Sequence, residues 1–169
     1  MRGDFYSLAN LKPKPQVPNI HELVGGQSPE VREWILDIDR LLIDDGCKVV
    51  GDSNYFTYTK RKTKKMICKI YLRITGGEIR PNANHLAGGQ QTYEFTENML
   101  EHMRGGRGCG LCADNDPNFV HCAHGGPYCI TYDGEYFERC RYQGFNFPLD
   151  NAAEREILKK WIEAELAWS

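Results

Sequence analysis

The chain has no apolar run near the ~20 residues that a helix needs to cross a bilayer, and its first residues lack the apolar stretch of a secretory signal. It also has little excess charge of either sign. Its 21 basic and 23 acidic residues give a formal net charge of −2, which argues against a strongly basic nucleic-acid coat protein and against an acidic tail. We therefore expect a cytoplasmic protein with no membrane partner.

The sequence patterns of common catalytic sites are missing as well. There is no nucleophile elbow, zinc-protease helix, Walker loop or dinucleotide-binding glycine pattern. The glycine-rich run at 105–108 lacks the Lys-Ser/Thr continuation of a phosphate-binding loop. Cys122 has His121 and His124 close by, so a metal- or thiol-dependent enzyme stays open as an alternative. The balance favours a protein without catalytic activity.

The composition itself is that of a globular domain. The chain has 169 residues, of which 41% are hydrophobic and 26% charged. Alternating prolines at 13, 15 and 18 favour extended backbone, so residues 1–27 are predicted to form an extended N-terminal arm. The arm either lies over the domain as a strap, which we favour, or binds a partner. Residues 28–169 are predicted to form a single domain.

Within this domain, capping residues and apolar periodicity predict helices at both ends. Ser28 can cap a helix that begins at Pro29, and Asn151 with Glu154 resembles a capping box, with Asp150 as the alternative cap. Thr96 can cap a short helix to Arg104. The last helix has one apolar face, which comprises Ile157, Leu158, Trp161, Ile162 and Leu166, and Glu165 is expected to lie off that face.

Between the first two helices the pattern changes to that of strands. Segments 47–50, 54–59 and 66–74 are rich in aromatic and β-branched residues. In the last of them Met66, Cys68, Ile70, Leu72 and Ile74 share the predicted buried face, and Ile67, Lys69, Tyr71 and Arg73 share the wet face. Cys68 is therefore interpreted as a core residue. The predicted fold is α+β: a small, mainly antiparallel sheet packed by the N- and C-terminal helices, with a Cys-rich zinc-clamped loop and hairpin.

The zinc clamp is predicted from cysteine clustering. The chain has seven cysteines, and segment 105–142 contains five of them. Clustered cysteines in a reducing compartment are more often metal ligands or redox groups than disulfides. Cys109 and Cys112 form a CxxC pair between glycines, a spacing that holds one metal ion from a tight turn. Thiolate ligands favour zinc over magnesium or calcium.

A predicted hairpin supplies further ligands. Asp133-Gly134 is a strong two-residue turn signal between two β-rich arms. That register pairs Cys129 with Glu138 and puts Cys140 one diagonal step from Cys129 on the same face. We rank the metal ligands as Cys109 and Cys112, then Cys140, then Cys129 and Cys122 almost level, with His121 and His124 last. The alternatives are unligated cysteines and a redox CxxC pair.

A second candidate site is basic. The segment between the second and third strands carries Lys60, Arg61, Lys62, Lys64 and Lys65. It is either a solvated hairpin tip or a phosphate contact. Tyr55, Phe56 and Tyr58 beside the tip are candidates to stack on exposed bases. Nucleic-acid binding through this tip is the alternative function.

The favoured function is a zinc-binding module of regulatory or ligand-binding type, in which zinc has a structural role. Its ligand is expected to be a small molecule or a protein partner. The polar loop at 82–91 is a candidate cleft lining, with His85, Tyr71 and Tyr93 as possible contacts.

Overall fold

A computed structural model describes residues 19–51, 54–73, 76–104, 126–141 and 143–169. These residues form a mixed helix and sheet fold. The helices are α1 (Ile20–Leu23), α2 (Pro29–Asp44), α3 (Asn84–Ala87), α4 (Glu97–Arg104) and α5 (Ala152–Trp168), with a 3-10 turn at Val24–Gly26. The strands are β1 (Cys47–Gly51), β2 (Tyr55–Lys60), β3 (Met66–Arg73), β4 (Gly76–Pro81), β5 (Pro127–Tyr132), β6 (Glu135–Cys140) and β7 (Phe147–Pro148).

The strands form one five-stranded sheet and one hairpin. The sheet has the order β1-β2-β3-β4-β7, and every neighbouring pair is antiparallel. This confirms the predicted α+β class and the mainly antiparallel sheet. The zinc-clamped part of that prediction falls largely on residues 105–125, which lie outside the described residues.

Helices α2 and α5 share one core with the inward side chains of the sheet. Ile35 and Ile38 of α2, and Trp161 and Ile162 of α5, are fully buried in that core. Gly77 of β4 permits the close approach, because a Cβ atom there would lie 3.1 Å from Leu149 Cδ1 and 3.4 Å from Val31 Cγ1. Of the predicted N-terminal arm, residues 19–26 form a helical turn whose Ile20 and Val24 side chains join the same core, and residues 1–18 lie outside the described residues.

Local capping signals begin both long helices as predicted. The Ser28 hydroxyl accepts a hydrogen bond from Val31 N, and the Asn151 side chain accepts from Ala153 N and Glu154 N. The capping-box prediction for Glu154 is wrong in one respect. Its carboxylate is buried and accepts hydrogen bonds from Thr96 Oγ1 and Asn98 Nδ2 at the start of α4, at 2.8 and 2.9 Å.

Three further predictions needed correction. Ile67 is fully buried and not on the wet face, because Thr59 pairs with Met66 and Tyr58 with Cys68, so a β-bulge at Ile67 shifts the alternation. Glu165, expected off the buried face of the last helix, is fully buried. Residues 84–87 of the predicted loop form the short helix α3.

The hairpin β5–β6 has the predicted register. Tyr132 pairs with Glu135 and Cys129 with Glu138 around the turn at Asp133 and Gly134, both of which have positive φ. Its inner face contributes Tyr128, Ile130 and Phe137 to the core. The Asp-Gly signal was therefore sufficient to predict this element.

The core is expected to depend on Trp161 of α5. Trp161→Ala should lower the free energy of unfolding by about 3–5 kcal/mol, since it leaves a large cavity among the buried aromatic rings. The measurement is urea denaturation followed by circular dichroism. Trp168→Ala, on the same helix but 44% exposed, is the matched control and should cost roughly 1 kcal/mol or less. Equal losses in the two variants would contradict the assigned core.

Candidate functional site

The face of the sheet opposite α2 and α5 is the candidate site, and we call it the open face. Strand alternation places Lys69, Tyr71 and Arg73 of β3 there, as predicted, between Tyr55 and Thr57 of β2 and Glu78 and Arg80 of β4. These side chains are half-buried or exposed, whereas their neighbours Ile70 and Ile79 are buried. The open face is therefore a wet surface of charged and aromatic groups.

Two cations lie side by side on this face. Lys69 of β3 pairs directly with Arg80 of β4 in the strand register. Partial burial, and next the neighbouring Arg80 charge, hold the pKa of Lys69 below its ordinary value. Among the described strand residues, Glu78 is the one acidic residue on this face, and it forms a 3.0 Å ion pair with Arg73.

Two tyrosines lie next to the cations. Tyr55 and Tyr71 are register partners on β2 and β3, and their ring centroids are 6.0 Å apart with an interplanar angle of 41°. Lys69 Nζ lies 5.4 Å from the Tyr55 centroid, and Arg80 Cζ lies 5.7 Å from that of Tyr71. We call Tyr55, Lys69, Tyr71 and Arg80 the sheet-face cluster. Such close placement allows one ligand to contact rings and cations together.

Arg80 also anchors the far edge of this surface. Its Nη1 donates to Gln143 O at 3.0 Å, and its aliphatic stem lies against Gly144, where a Cβ atom would come 2.7 Å from Arg80 Cδ. Gly144 has a φ of +60°, so both its conformation and the close contact favour glycine. The Arg80 guanidinium is thus held beside Tyr71 by the segment that follows β6.

The basic tip joins β2 to β3, as the sequence predicted for residues 60–65. The Lys60 ammonium group is already bound within the fold. Its Nζ forms a 2.9 Å ion pair with Asp45 Oδ2 and donates a hydrogen bond to Leu166 O at 3.0 Å. The other basic side chains are exposed, namely Arg61, Lys62, Lys64 and Lys65. The tip therefore carries four exposed cations at the end of β2 and β3.

Two of the three aromatic candidates beside the tip are not accessible for stacking. Phe56 and Tyr58 are fully buried, and the Tyr58 hydroxyl donates to Asp39 Oδ1 at 2.8 Å. Tyr55 is 36% exposed and lies on the open face. The strand alternation contains this information, since Tyr55 and Thr57 have the opposite parity to Phe56 and Tyr58.

His85 lies in a closed network in the core, away from Tyr71. It is fully buried, with Nδ1 2.7 Å from Glu165 Oε2 and Nε2 2.7 Å from the Tyr93 hydroxyl oxygen. A carboxylate only accepts, so Nδ1 carries the proton that it donates. Glu165 also accepts from His85 N at 3.1 Å and from Asn84 Nδ2 at 2.9 Å. Burial, and next the Glu165 charge, raise the pKa of Tyr93.

This network fixes α3 to α5 and presents no polar group to a ligand. Both ring nitrogens of His85 have protein partners, and the Tyr93 ring packs against Phe95 and Trp161. Asn82, a further residue of the candidate cleft, is buried and bonds Met66 O and the Tyr128 hydroxyl. The structure does not bring Tyr71 and His85 together.

Most of the predicted metal ligands lie outside the described residues, namely Cys109, Cys112 and Cys122. On the hairpin, Cys129 is exposed and Cys140 is buried. Within the described ranges, which leave out 105–125, no three His, Cys, Asp or Glu side chains gather closely enough to hold a metal ion. Cys68 is buried in the core, and burial raises the pKa of its thiol, as befits the predicted structural role.

Comparison with known proteins provides no functional assignment for this chain. No protein-family model matches the chain, and no curated protein or solved structure is significantly similar to it. In the part of the chain that the structure describes, no helix is both long and apolar enough to cross a membrane.

The network around His85 is expected to stabilise the fold. Glu165→Gln should lower the free energy of unfolding by about 2–3 kcal/mol, because the new amide turns a donor toward groups that now donate to a carboxylate. Chemical denaturation measures the change. Glu163→Gln, an exposed neighbour on α5, is the control and should change stability by no more than about 0.5 kcal/mol. A tolerated Glu165→Gln would show that the network is dispensable.

Proposed function

We propose that this chain is a non-catalytic binding domain that recognises an anionic ligand on the open face of its sheet. The observation that carries the proposal is the pairing of Lys69 with Arg80 across β3 and β4. Like charges directly opposite one another on a sheet are unfavourable, by roughly 0.2–1 kcal/mol. A ligand anion between the two cations turns this repulsion into attraction.

The surroundings of the pair support this assignment. Glu78, the one acidic residue among the described strand residues of this face, is paired with Arg73. Partial burial of Lys69 lowers the local dielectric constant, so a bound anion interacts with it more strongly than with a fully solvated lysine. A bound anion would offset both causes of the lowered Lys69 pKa, which are burial first and the Arg80 charge next.

The basic tip extends the positive surface. Lys65 immediately precedes β3, four positions before Lys69, so their Cα atoms lie at most about 14 Å apart at ~3.4 Å per residue. A linear polyanion can therefore contact the sheet-face cluster and the exposed cations of the tip together. We therefore propose the open face as the recognition site in place of the polar-loop cleft, because the side chains of His85 and Asn82 are hydrogen-bonded within the core.

The test is polyanion binding by Lys69→Gln. Inorganic polyphosphate should bind the wild-type chain at low salt, and the variant should bind about tenfold more weakly, since one charge-assisted contact is worth about 1.5 kcal/mol or more. The variant's free energy of unfolding should stay unchanged or rise by up to about 0.5 kcal/mol, because a repulsion is removed. Titration at several salt concentrations and chemical denaturation give the two readouts.

Lys160→Gln, an exposed change of the same charge on α5, is the matched control and should bind polyphosphate like the wild-type chain. Equal binding by Lys69→Gln and Lys160→Gln would rule out the open face as the anion site. A Lys69→Gln variant that unfolds more easily would assign Lys69 a structural role.

We also propose that segment 105–142 holds a structural zinc ion. The hairpin register supports this, because Cys140 lies one diagonal step from Cys129 on one face of the β5–β6 pair. Cys109 and Cys112, with a CxxC spacing, would supply the other thiolates. A reducing compartment such as the cytoplasm keeps all of these thiols available.

Metal analysis with thiol counting tests the zinc proposal. The purified chain should hold about one zinc ion, with four thiols protected until a chelator is added. The double variant Cys109→Ser/Cys112→Ser should lose the metal, whereas Cys47→Ala, which changes a cysteine of β1, should keep it. A metal-free wild-type chain whose cluster thiols all react freely would refute the proposal.

A further inference from the structure

The side chains of the sheet-face cluster indicate which class of anionic ligand would bind in the proposed function. Two of its four members are cations, and the other two are aromatic rings that a simple anion does not use. Tyr55 is 36% exposed, and Val50, on the same face of the neighbouring strand β1, is 58% exposed. A ligand that covers this surface gains from apolar or π contact as well as from charge.

One ring and one cation of the cluster are neighbours along β3, and each has a register partner of its own kind on an adjacent strand. Tyr71 and Lys69 are two residues apart on β3, so they project from the same face about 7 Å apart. Tyr55 pairs with Tyr71 across β2 and β3, and Lys69 pairs with Arg80 across β3 and β4. The cluster thus offers a pair of rings beside a pair of cations, which matches a ligand that carries planar groups on one side and charges on the other.

We infer that the ligand is single-stranded nucleic acid, whose bases stack on Tyr55 and Tyr71 while its phosphates bind Lys69 and Arg80. The inference rests on the proposed function, since it identifies the anion that binds the same face. Base stacking on aromatic side chains and a basic groove for the backbone are the two contacts by which proteins bind single strands.

A duplex fits this face less well. Its base faces are covered by stacking within the helix, so it offers the tyrosine rings no partner. An acidic peptide would pair its carboxylates with Lys69 and Arg80, but those carboxylates offer the tyrosine rings no stacking partner. The described strand residues of the open face include no Asn or Gln, the side chains that read adenine by paired hydrogen bonds, so we expect weak sequence preference.

The exposed tip sets the reach of the site. Lys62, Lys64 and Lys65 are exposed at the end of the hairpin that leads into β3, so a strand that reaches from the cluster to the tip falls within the range of roughly 4–16 nucleotides for comparable single-strand sites. Affinity should fall steeply with salt, because each phosphate contact releases counterions.

The experiment compares four probes on the full-length chain: a labelled oligothymidine of about ten nucleotides, inorganic polyphosphate, a DNA duplex of matched charge, and polyglutamate. Tyr55→Leu and Tyr71→Leu remove the ring and keep an apolar side chain. Each should weaken oligothymidine binding about tenfold, the effect expected for one lost stacking contact, and leave polyphosphate binding unchanged. Tyr136→Leu, on the separate hairpin and 58% exposed, should bind all probes normally.

The outcomes separate the two proposals. If oligothymidine binds the tyrosine variants as well as the wild-type chain, or if the duplex or polyglutamate competes as well as the single strand, the inference falls. The anion-binding function stands in that case, provided that Lys69→Gln still weakens polyphosphate binding. If neither polyphosphate nor oligothymidine binds at low salt, both proposals fall. Circular dichroism of each variant establishes that a loss of binding is not a loss of fold.

Discussion

Burial of the Trp161 indole is the constraint on which the fold depends. Its ring lies within 6.3 Å, centroid to centroid, of five aromatic or imidazole rings from three separate stretches of the chain. They belong to His85, Tyr93, Phe95, Phe145 and Phe147. An indole N–H that leaves water needs an acceptor, and Asn82 O, just after β4, lies 2.6 Å from Trp161 Nε1. This single bond joins the C-terminal helix to the end of the sheet.

Two buried carboxylates on α5 extend this arrangement in opposite directions. Glu154, in the first turn of the helix, accepts hydrogen bonds from residues at the start of α4, and Glu165, near its end, accepts them from residues that begin α3. Each accepts several hydrogen bonds, as a buried charge must. Helix α5 therefore fixes both short helices, which are too short to be stable alone.

Local signals predicted the elements, and long-range packing decided the details that they missed. Ser28, Asn151 and Asp133-Gly134 act within a few residues, so their caps and turn were predictable. The burial of Glu154 and Glu165 was not, because their partners lie 56 or more residues away along the chain. For the site, alternation placed Lys69 and Tyr71 on the wet face, but their pairing with Arg80 and Tyr55 depends on the strand register, which alternation does not fix.

Lys60 has a structural role that differs from that of the other basic residues of the hairpin tip. Its ammonium group bridges a main-chain carbonyl at the end of α5 and the carboxylate of Asp45, and Lys60 N donates to Lys65 O at the base of the turn. The tip is thus braced against the helical layer at its root. Lys62, Lys64 and Lys65 are exposed on this braced turn, so a ligand that binds them loses less conformational entropy in immobilising the turn. Lys60 thus binds within the fold and thereby preorganises the neighbouring lysines for a ligand.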